Sequence, residues 1–247
     1  MNYFLIALQF LTILPIKIKS EIKEKDFGRS LLYFPIVGLM IGLLLSVTAF
    51  FLSFLPGLIK GAIILSISIF ITGGIHLDGF ADTCDGLYAG KSKERILEIM
   101  RDPHIGTMGI IALVCLLLLK FTLIIGIPKD LLWKSFIMMA AFSRWSQGLA
   151  CYSCKYVREN GKAKFFIEYA RKKDIVIGAL FIFGLFFFLA RLKGTLIFIA
   201  SSLPTLLFIE YVKRKINGMT GDTIGATSEI AEVSTLFFVL AFGSIWN

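Results

Sequence analysis

Long apolar runs dominate the chain: residues 31–55 and 58–77 around Pro56-Gly57, 106–126 and 131–151 around Pro128, and 175–190 and 195–212 around Arg191, Lys193 and Gly194. Each run approaches the roughly 20 residues that a helix needs to cross a bilayer. The pattern therefore predicts three helical hairpins, or six transmembrane helices. Two shorter runs, 3–16 and 233–246, sit at the ends and are expected either to cross at a tilt or to lie re-entrant. No stretch alternates with the period of a strand, so the fold class is all-α, a polytopic integral membrane helix bundle.

Composition supports lipid as the main solvent. The 247 residues are 57% hydrophobic and 17% charged, where a soluble domain carries about 25% charge. That balance speaks against a water-soluble enzyme, and a disordered chain, a collagen and a disulfide-stapled scaffold are excluded, because 24 Phe and long Ile/Leu runs leave no low-hydrophobicity tract and only four Cys occur. A single membrane-embedded domain over 1–247 is expected. The segment Met1-Asn2-Tyr3-Phe4 lacks the basic start of a secretory signal, so the N-terminal run is expected to be retained.

The net charge of +9 is carried mainly by four clusters: Lys17 to Arg29, Lys91 to Arg101, Lys155 to Lys173, and Lys213 to Lys215. Each hairpin returns the chain to the side on which it started, so all four clusters share one face. The positive-inside rule makes that face cytoplasmic, within the cell inner membrane. The spacings Gly38-x-x-x-Gly42 and Gly57-x-x-x-Gly61 permit close helix packing. Cys151-x-x-Cys154 has no partner pair and is a poor zinc site.

The acids are few, only 17, yet three fall within eight residues in Gly73-Gly74-Ile75-His76-Leu77-Asp78-Gly79-Phe80-Ala81-Asp82-Thr83-Cys84-Asp85-Gly86. On a helix, Asp78, Asp82 and Asp85 lie within about 60° of one another. No basic residue intervenes, so their repulsion calls for a bound cation, and oxygen ligands of this kind suit Mg²⁺ or Mn²⁺. A purely structural cluster is the alternative. A second acidic group, Asp222, Glu229 and Glu232, lies in the segment 217–232, whose Gly-rich start reads as a loop able to present N–H groups to an anion, followed by a capped helix. Two such groups on one face among basic loops suggest metal-bridged phosphate chemistry.

Several further residues are candidates to contact the substrate. Arg101-Asp102-Pro103-His104-Ile105-Gly106 forms a polar loop in which Arg101 suits a phosphate clamp, or else snorkels to the interface. Arg144 lies inside an apolar run, where an unpaired charge is expensive, so it is either functional or paired with an acid. The loop 156–164, with Arg158 and Lys162, can close over an anion or bind lipid headgroups. His76 and His104 adjoin the acidic motifs and can act as acid or base, or simply hold structure.

The motif at 73–86 followed by Arg101-Asp102-Pro103-His104-Ile105-Gly106-Thr107-Met108-Gly109 resembles the signature of the cobalamin synthase family, the adenosylcobinamide-GDP ribazoletransferases. Phe10 to Pro15, Tyr33 to Gly38, Ser143-Arg144-Trp145 and Thr220 to Ala226 resemble family features in the family's order. Cys84 departs from the small residue, such as Ala, expected there. The resemblance implies a Mg²⁺-using inner-membrane enzyme that joins adenosylcobinamide-GDP to α-ribazole, or to α-ribazole 5′-phosphate, giving adenosylcobalamin or its 5′-phosphate and GMP. On that basis Asp78, Asp82 and Asp85 hold Mg²⁺ against the pyrophosphate, and Asp222 with Glu229 completes the site or activates the attacking hydroxyl. Arg101, Arg144 and Lys162 stabilise the transition-state charge. Asp82, Asp222, Arg101 and Arg144 are then the catalytic candidates, and His76, Asp102, His104, Arg158, Lys162 and Thr220 the substrate contacts.

The bilayer is the expected surrounding partner and no nucleic acid is expected, while the oligomeric state, a homo-oligomer included, is left open by the sequence. Two rival readings remain. A CDP-alcohol phosphotransferase also clusters Asp residues, but Asp78-Gly79-Phe80-Ala81-Asp82 places Ala one position early and Asp where that signature has Arg. A secondary transporter also carries intramembrane charge, but it places that charge at the midplane and shows inverted repeats, which this chain lacks.

Overall fold

The computed structural model describes residues 2–18, 21–161 and 163–244, which form α1 (Tyr3–Leu11), α2 (Glu24–Ser30), α3 (Phe34–Phe51), α4 (Gly57–Thr72), α5 (Ile75–Ala89), α6 (Lys93–Ile99), α7 (Thr107–Gly126), α8 (Lys129–Ser153), α9 (Lys164–Glu168), α10 (Lys172–Ile216) and α11 (Gly221–Ser244). A 3₁₀ turn at Leu31–Tyr33 joins α2 to α3, and Pro35 sits in the first turn of α3, where its missing N–H costs nothing. The fold is all-helical, and among the described residues only an isolated bridge between Tyr156 and Met219 has β character.

At the centre lies α8, buried without interruption from Ser135 to Gly148. A helix enclosed on all sides must satisfy its neighbours rather than lipid, and this one meets α3, α10 and α11. Two glycines set its distance from α3. A Cβ at Gly38 would stand 2.8 Å from the Ala141 Cα, and one at Gly42 2.7 Å from the Ile137 Cα. The Gly38–Gly42 pair is thus the groove into which α8 fits. The second spacing differs: Gly57 faces open space, and Gly61 meets only the side chains of Ile125 and Phe121.

Among the described residues four helical stretches are long and apolar enough to cross a membrane: Glu24–Phe51, Thr107–Gly126, Lys172–Ile216 and Gly221–Gly243. The pair α4 and α5, bent by 89°, raises the number to five if it is one broken span. The chain is therefore a multi-pass membrane protein; the expected count of six spans is not confirmed, since Lys172–Ile216 counts as one stretch by this measure and two of the expected runs differ from simple spans. The run 58–77 is not one helix, because Gly73 and Gly74 adopt φ of +63° and +70°, a left-handed pair that stops α4 and turns the chain. The run 131–151 has the length of a span but lies inside the protein, with Arg144 and Gln147 buried within it.

Helix α10 breaks at Ala190 and Arg191, where the backbone leaves helical geometry. The rings of Phe183 and Phe186 lie 5.9 and 5.8 Å from that of Phe198. A continuous helix would separate positions 186 and 198 by about 18 Å. The two arms therefore pack as a hairpin, in agreement with the expected runs 175–190 and 195–212.

The two terminal runs adopt different structures. The first run is helical only over Tyr3–Leu11, after which the Ile13 N–H donates to the Ile71 carbonyl at 2.9 Å, so this segment folds against the end of α4. The last run is the second half of a full-length helix that already begins at Gly221. The stretch read as a Gly-rich loop is, from Gly221 onward, the first turns of that helix.

Candidate active site

Two glycines bring the acidic motifs together. Helix α5 crosses the start of α11 so closely that a Cβ at Gly79 would lie 2.7 Å from the Asp222 carbonyl oxygen. A Cβ at Gly225 would lie 3.2 Å from the His76 Cα. Side chains at either position would separate the helices, so backbone-to-backbone packing here depends on Gly. The crossing sets Asp78 and Asp82 of α5 opposite Asp222 in the first turn of α11, and Asp82 feels the charges of both Asp222 and Asp78.

The start of α11 is fixed by its own residues. The Thr223 N–H donates to Thr220 Oγ1 at 3.3 Å, and the Thr220 N–H donates to Thr223 Oγ1 at 2.9 Å, a reciprocal cap on the helix end. Thr220 is fully buried and its hydroxyl is engaged in this cap, donating also toward Asp222 Oδ2 at 3.4 Å. Thr220 thus caps the start of α11.

Arg158 supplies the facing cation. Its Nη2 stands 2.6 Å from Asp222 Oδ2 and donates to the Met100 carbonyl at 3.1 Å. The loop that carries it is clamped in place: the Met219 N–H donates to the Lys155 carbonyl at 2.9 Å and the Val157 N–H to the Met219 carbonyl at 3.2 Å. Arg158 Nε is buried and has no hydrogen-bond partner among the described residues. Nearby, burial pushes the Tyr156 phenol above its ordinary range, so it stays protonated.

Asp85 points elsewhere. Its two oxygens accept the Gly106 and Gly109 N–H groups, each at 2.7 Å, at the start of α7. A Cβ at Gly106 or Gly109 would collide with that carboxylate, so these glycines admit Asp85 rather than a ligand. Asp85 is thus an N-terminal cap for a neighbouring helix, with one N–H on each of its oxygens.

Glu229 and Arg144 lie deeper in the bundle. Lys120 Nζ donates to Glu229 Oε2 and to Glu232 Oε2, both at 2.5 Å, and Arg144 Nη1 donates to Glu232 and, at 2.6 Å, to Ser143 Oγ. All four charged groups are buried. Two acids and two bases balance, and they tie α7, α8 and α11 to one another. Glu229 thus lies outside the acid group at the crossing, about 10 Å along α11 from Asp222. Arg144 has the acid partner that was the alternative for it. Lys120 escaped the sequence reading, although a lone Lys inside the apolar run 106–126 was signal enough.

The remaining candidates divide. His76 is buried, with Nε2 2.9 Å from Gln147 Nε2, on the wall of a cavity of about 340 Å³. Asp78, Arg158 and Asp222 line the same cavity. Arg101, Asp102 and His104 are exposed. The His104 N–H and ring bond to Asp102 Oδ1 at 2.9 and 2.7 Å, which holds the Asp102 carboxyl below its usual range. Lys162 lies outside the described residues.

The oxygen-only donor set of Asp78, Asp82 and Asp222, negative in excess of Arg158, has the chemistry of a hard-cation site. Among the described residues no group of three or more His, Cys, Asp and Glu is arranged so that it could hold a metal ion by itself. Mg²⁺ fits such an open arrangement, because it keeps waters and is usually held by one or two carboxylates plus substrate phosphates.

Residues 3–240 match the family described as cobalamin-5-phosphate synthase. An adenosylcobinamide-GDP ribazoletransferase of Alkaliphilus metalliredigens is 39% identical over 243 residues, covering 97% of this chain and 95% of the relative. Enzymes of the same name from Geotalea daltonii and Acetivibrio thermocellus are 35% and 33% identical, with 98% and 96% of this chain covered and the same shares of the relatives. No solved structure matches the chain.

Proposed function

The chain belongs to the cobalamin-5-phosphate synthase family, and from that membership we propose the following chemistry for the α5–α11 crossing. The protein is an adenosylcobinamide-GDP ribazoletransferase, a transferase of late cobalamin synthesis. A hydroxyl oxygen of α-ribazole, or of its 5′-phosphate, attacks the pyrophosphate phosphorus on the cobinamide side. The new P–O bond forms as the bond to the bridging oxygen breaks, the electron pair leaves with GMP, and the hydroxyl proton passes to a carboxylate of the acid group.

The observation that carries this reading is the placement of Asp222, fixed by Arg158 and set beside Asp78 on the wall of one cavity. Asp78, Asp82 and Asp222 would hold Mg²⁺, which when bound neutralises charge on the pyrophosphate. Arg158, with Nε free of protein partners among the described residues, offers a guanidinium N–H to a phosphoryl oxygen as charge develops there. His76 and Gln147 shape the inner wall. The basic loops carrying Lys155, Arg158 and Lys173 support, through the positive-inside rule, a site near the cytoplasmic face of the inner membrane.

Phosphorus labelling tests the bond that breaks. Donor labelled in the cobinamide-side phosphate should yield labelled cobalamin and unlabelled GMP, in a reaction that stops when Mg²⁺ is chelated. Label in GMP, or a reaction indifferent to chelation, contradicts the proposal.

A further inference from the structure

A second cavity, of about 270 Å³, lies at the other end of the bundle from the acid group. Helix α8 joins the two: Gln147 is on the wall of the first and Lys129, about 27 Å away along the helix, on that of the second. The end of α3 and the first turns of α4 and α8 enclose it. Ser46 ties α3 to α8 there, donating to the Gly42 and Trp133 carbonyls at 2.7 and 2.9 Å.

Lys60 of α4 lines this cavity and is only 8% exposed, yet its ammonium has no ion-pair or hydrogen-bond partner among the described residues. Lys129 lines it too and has none either. Asp130, the adjacent acid, is exposed and does not line the cavity. Elsewhere in the bundle a buried lysine is met by acids, as Lys120 is by Glu229 and Glu232. A buried ammonium without such a partner is costly, so Lys60 calls for an anion from outside the chain. Both helix starts add to that field. Helices α4 and α8 begin after Pro56 and Pro128 with no side-chain cap, so their first N–H groups lack a side-chain acceptor.

The surroundings of the cavity say which anion. Phe50, Phe51 and Phe54 are 74%, 69% and 78% exposed, and Leu58 and Ile59 are exposed beside them in sequence. Such a collar suits acyl chains rather than water. Trp133, half exposed on the cavity wall, has the amphipathic ring favoured at the level of lipid headgroups. We infer that this cavity binds the headgroup of an anionic phospholipid of the phosphatidylglycerol type, with Lys60 and Lys129 on its phosphate and the acyl chains along the exposed apolar surface at the end of α3. Phosphatidylcholine and phosphatidylethanolamine carry a cationic headgroup that the second lysine repels, so charge selects against them. The site is independent of the chemistry at the α5–α11 crossing.

Lipid binding to the purified full-length protein in detergent micelles tests the inference without reference to the reaction. Phosphatidylglycerol with brominated acyl chains should quench the tryptophan fluorescence of the parent at concentrations at least about tenfold lower than brominated phosphatidylcholine. Lys60→Met and Lys129→Met should each weaken phosphatidylglycerol binding about tenfold, the loss expected of one charge-assisted contact. Lys60→Met removes a buried unpaired charge and fills similar space, so the fold should tolerate it. Lys129 is exposed, so its variant reads the site even if Lys60→Met unfolds. Phosphatidylcholine that binds within about threefold of phosphatidylglycerol, or lysine variants that hold phosphatidylglycerol as the parent does, overturns the site. Inorganic phosphate that displaces phosphatidylglycerol at equal concentration would mark a site for soluble anions and overturn the lipid assignment.

Discussion

Arg158 Nη2 stands 2.6 Å from Asp222 Oδ2, joining the loop after α8 to the first turn of α11. The pair is mostly buried, and the same guanidinium donates to the Met100 carbonyl, so its position is set by two elements before substrate arrives. A group held this way needs little reorganisation when charge develops on a phosphate.

That arrangement predicts an outcome for Arg158. Arg158→Ala should lower kcat by at least about 100-fold, and Arg158→Lys should recover little, because one ammonium nitrogen cannot take the place of both Nη2, which holds Asp222 and the Met100 carbonyl, and Nε, which is left for the phosphate. Steady-state GMP release from detergent-solubilised protein measures both. Full rescue by Lys would show that charge alone matters.

Asp85 and Asp82 should separate stability from chemistry. Asp85→Asn weakens the two N–H contacts that start α7, so it should cost about 1–3 kcal/mol of stability. Asp82→Asn removes one of several mutually repelling charges, so its thermal unfolding should be unchanged or improved. Differential scanning of both variants in the same detergent reads the contrast. An Asp82 variant that melts far below the parent contradicts the assignment.

Gly79→Ala should act on both. The added methyl meets the Asp222 backbone, an overpacked contact that costs about 1–3 kcal/mol and parts the carboxylates. Activity should fall by more than the loss of folded protein explains. A variant with the parent's turnover would show that the spacing at this crossing is not what positions the acids.

Lys120→Met leaves Glu229 and Glu232 with one cation instead of two, deep in the bundle. Removing one partner of such a group costs about 3–5 kcal/mol, and the double variant Lys120→Met with Glu229→Gln should regain most of it. Unfolding midpoints of the two variants provide the check, and equal losses in both would argue against charge balance.

The all-helical class, the arms of α10 and the meeting of the two acidic motifs were legible in the chain, because hydropathy and charge spacing are local properties. The 89° turn at Gly73–Gly74 was not, since two glycines at the end of an apolar run read equally well as helix or turn. The start of α11 was misread because Thr and Gly are poor helix formers, and the tertiary contacts of Gly79 and Gly225 override that preference. Asp85 shares a helical stripe with Asp78 and Asp82, but the stripe does not tell which neighbouring helix end waits at each turn. Arg144 invited a catalytic reading for the same reason that Lys120 deserved one, and the two charges prove to serve a single buried network.

The central claim is that the acids at the α5–α11 crossing perform the transfer. The most direct measurement compares GMP and cobalamin formation by the parent and Asp82→Asn proteins, each given adenosylcobinamide-GDP and α-ribazole in lipid with Mg²⁺. The parent should give equimolar products, and the variant, still folded, a rate at least about 100-fold lower. Products formed by Asp82→Asn within a few-fold of the parent rate would contradict it.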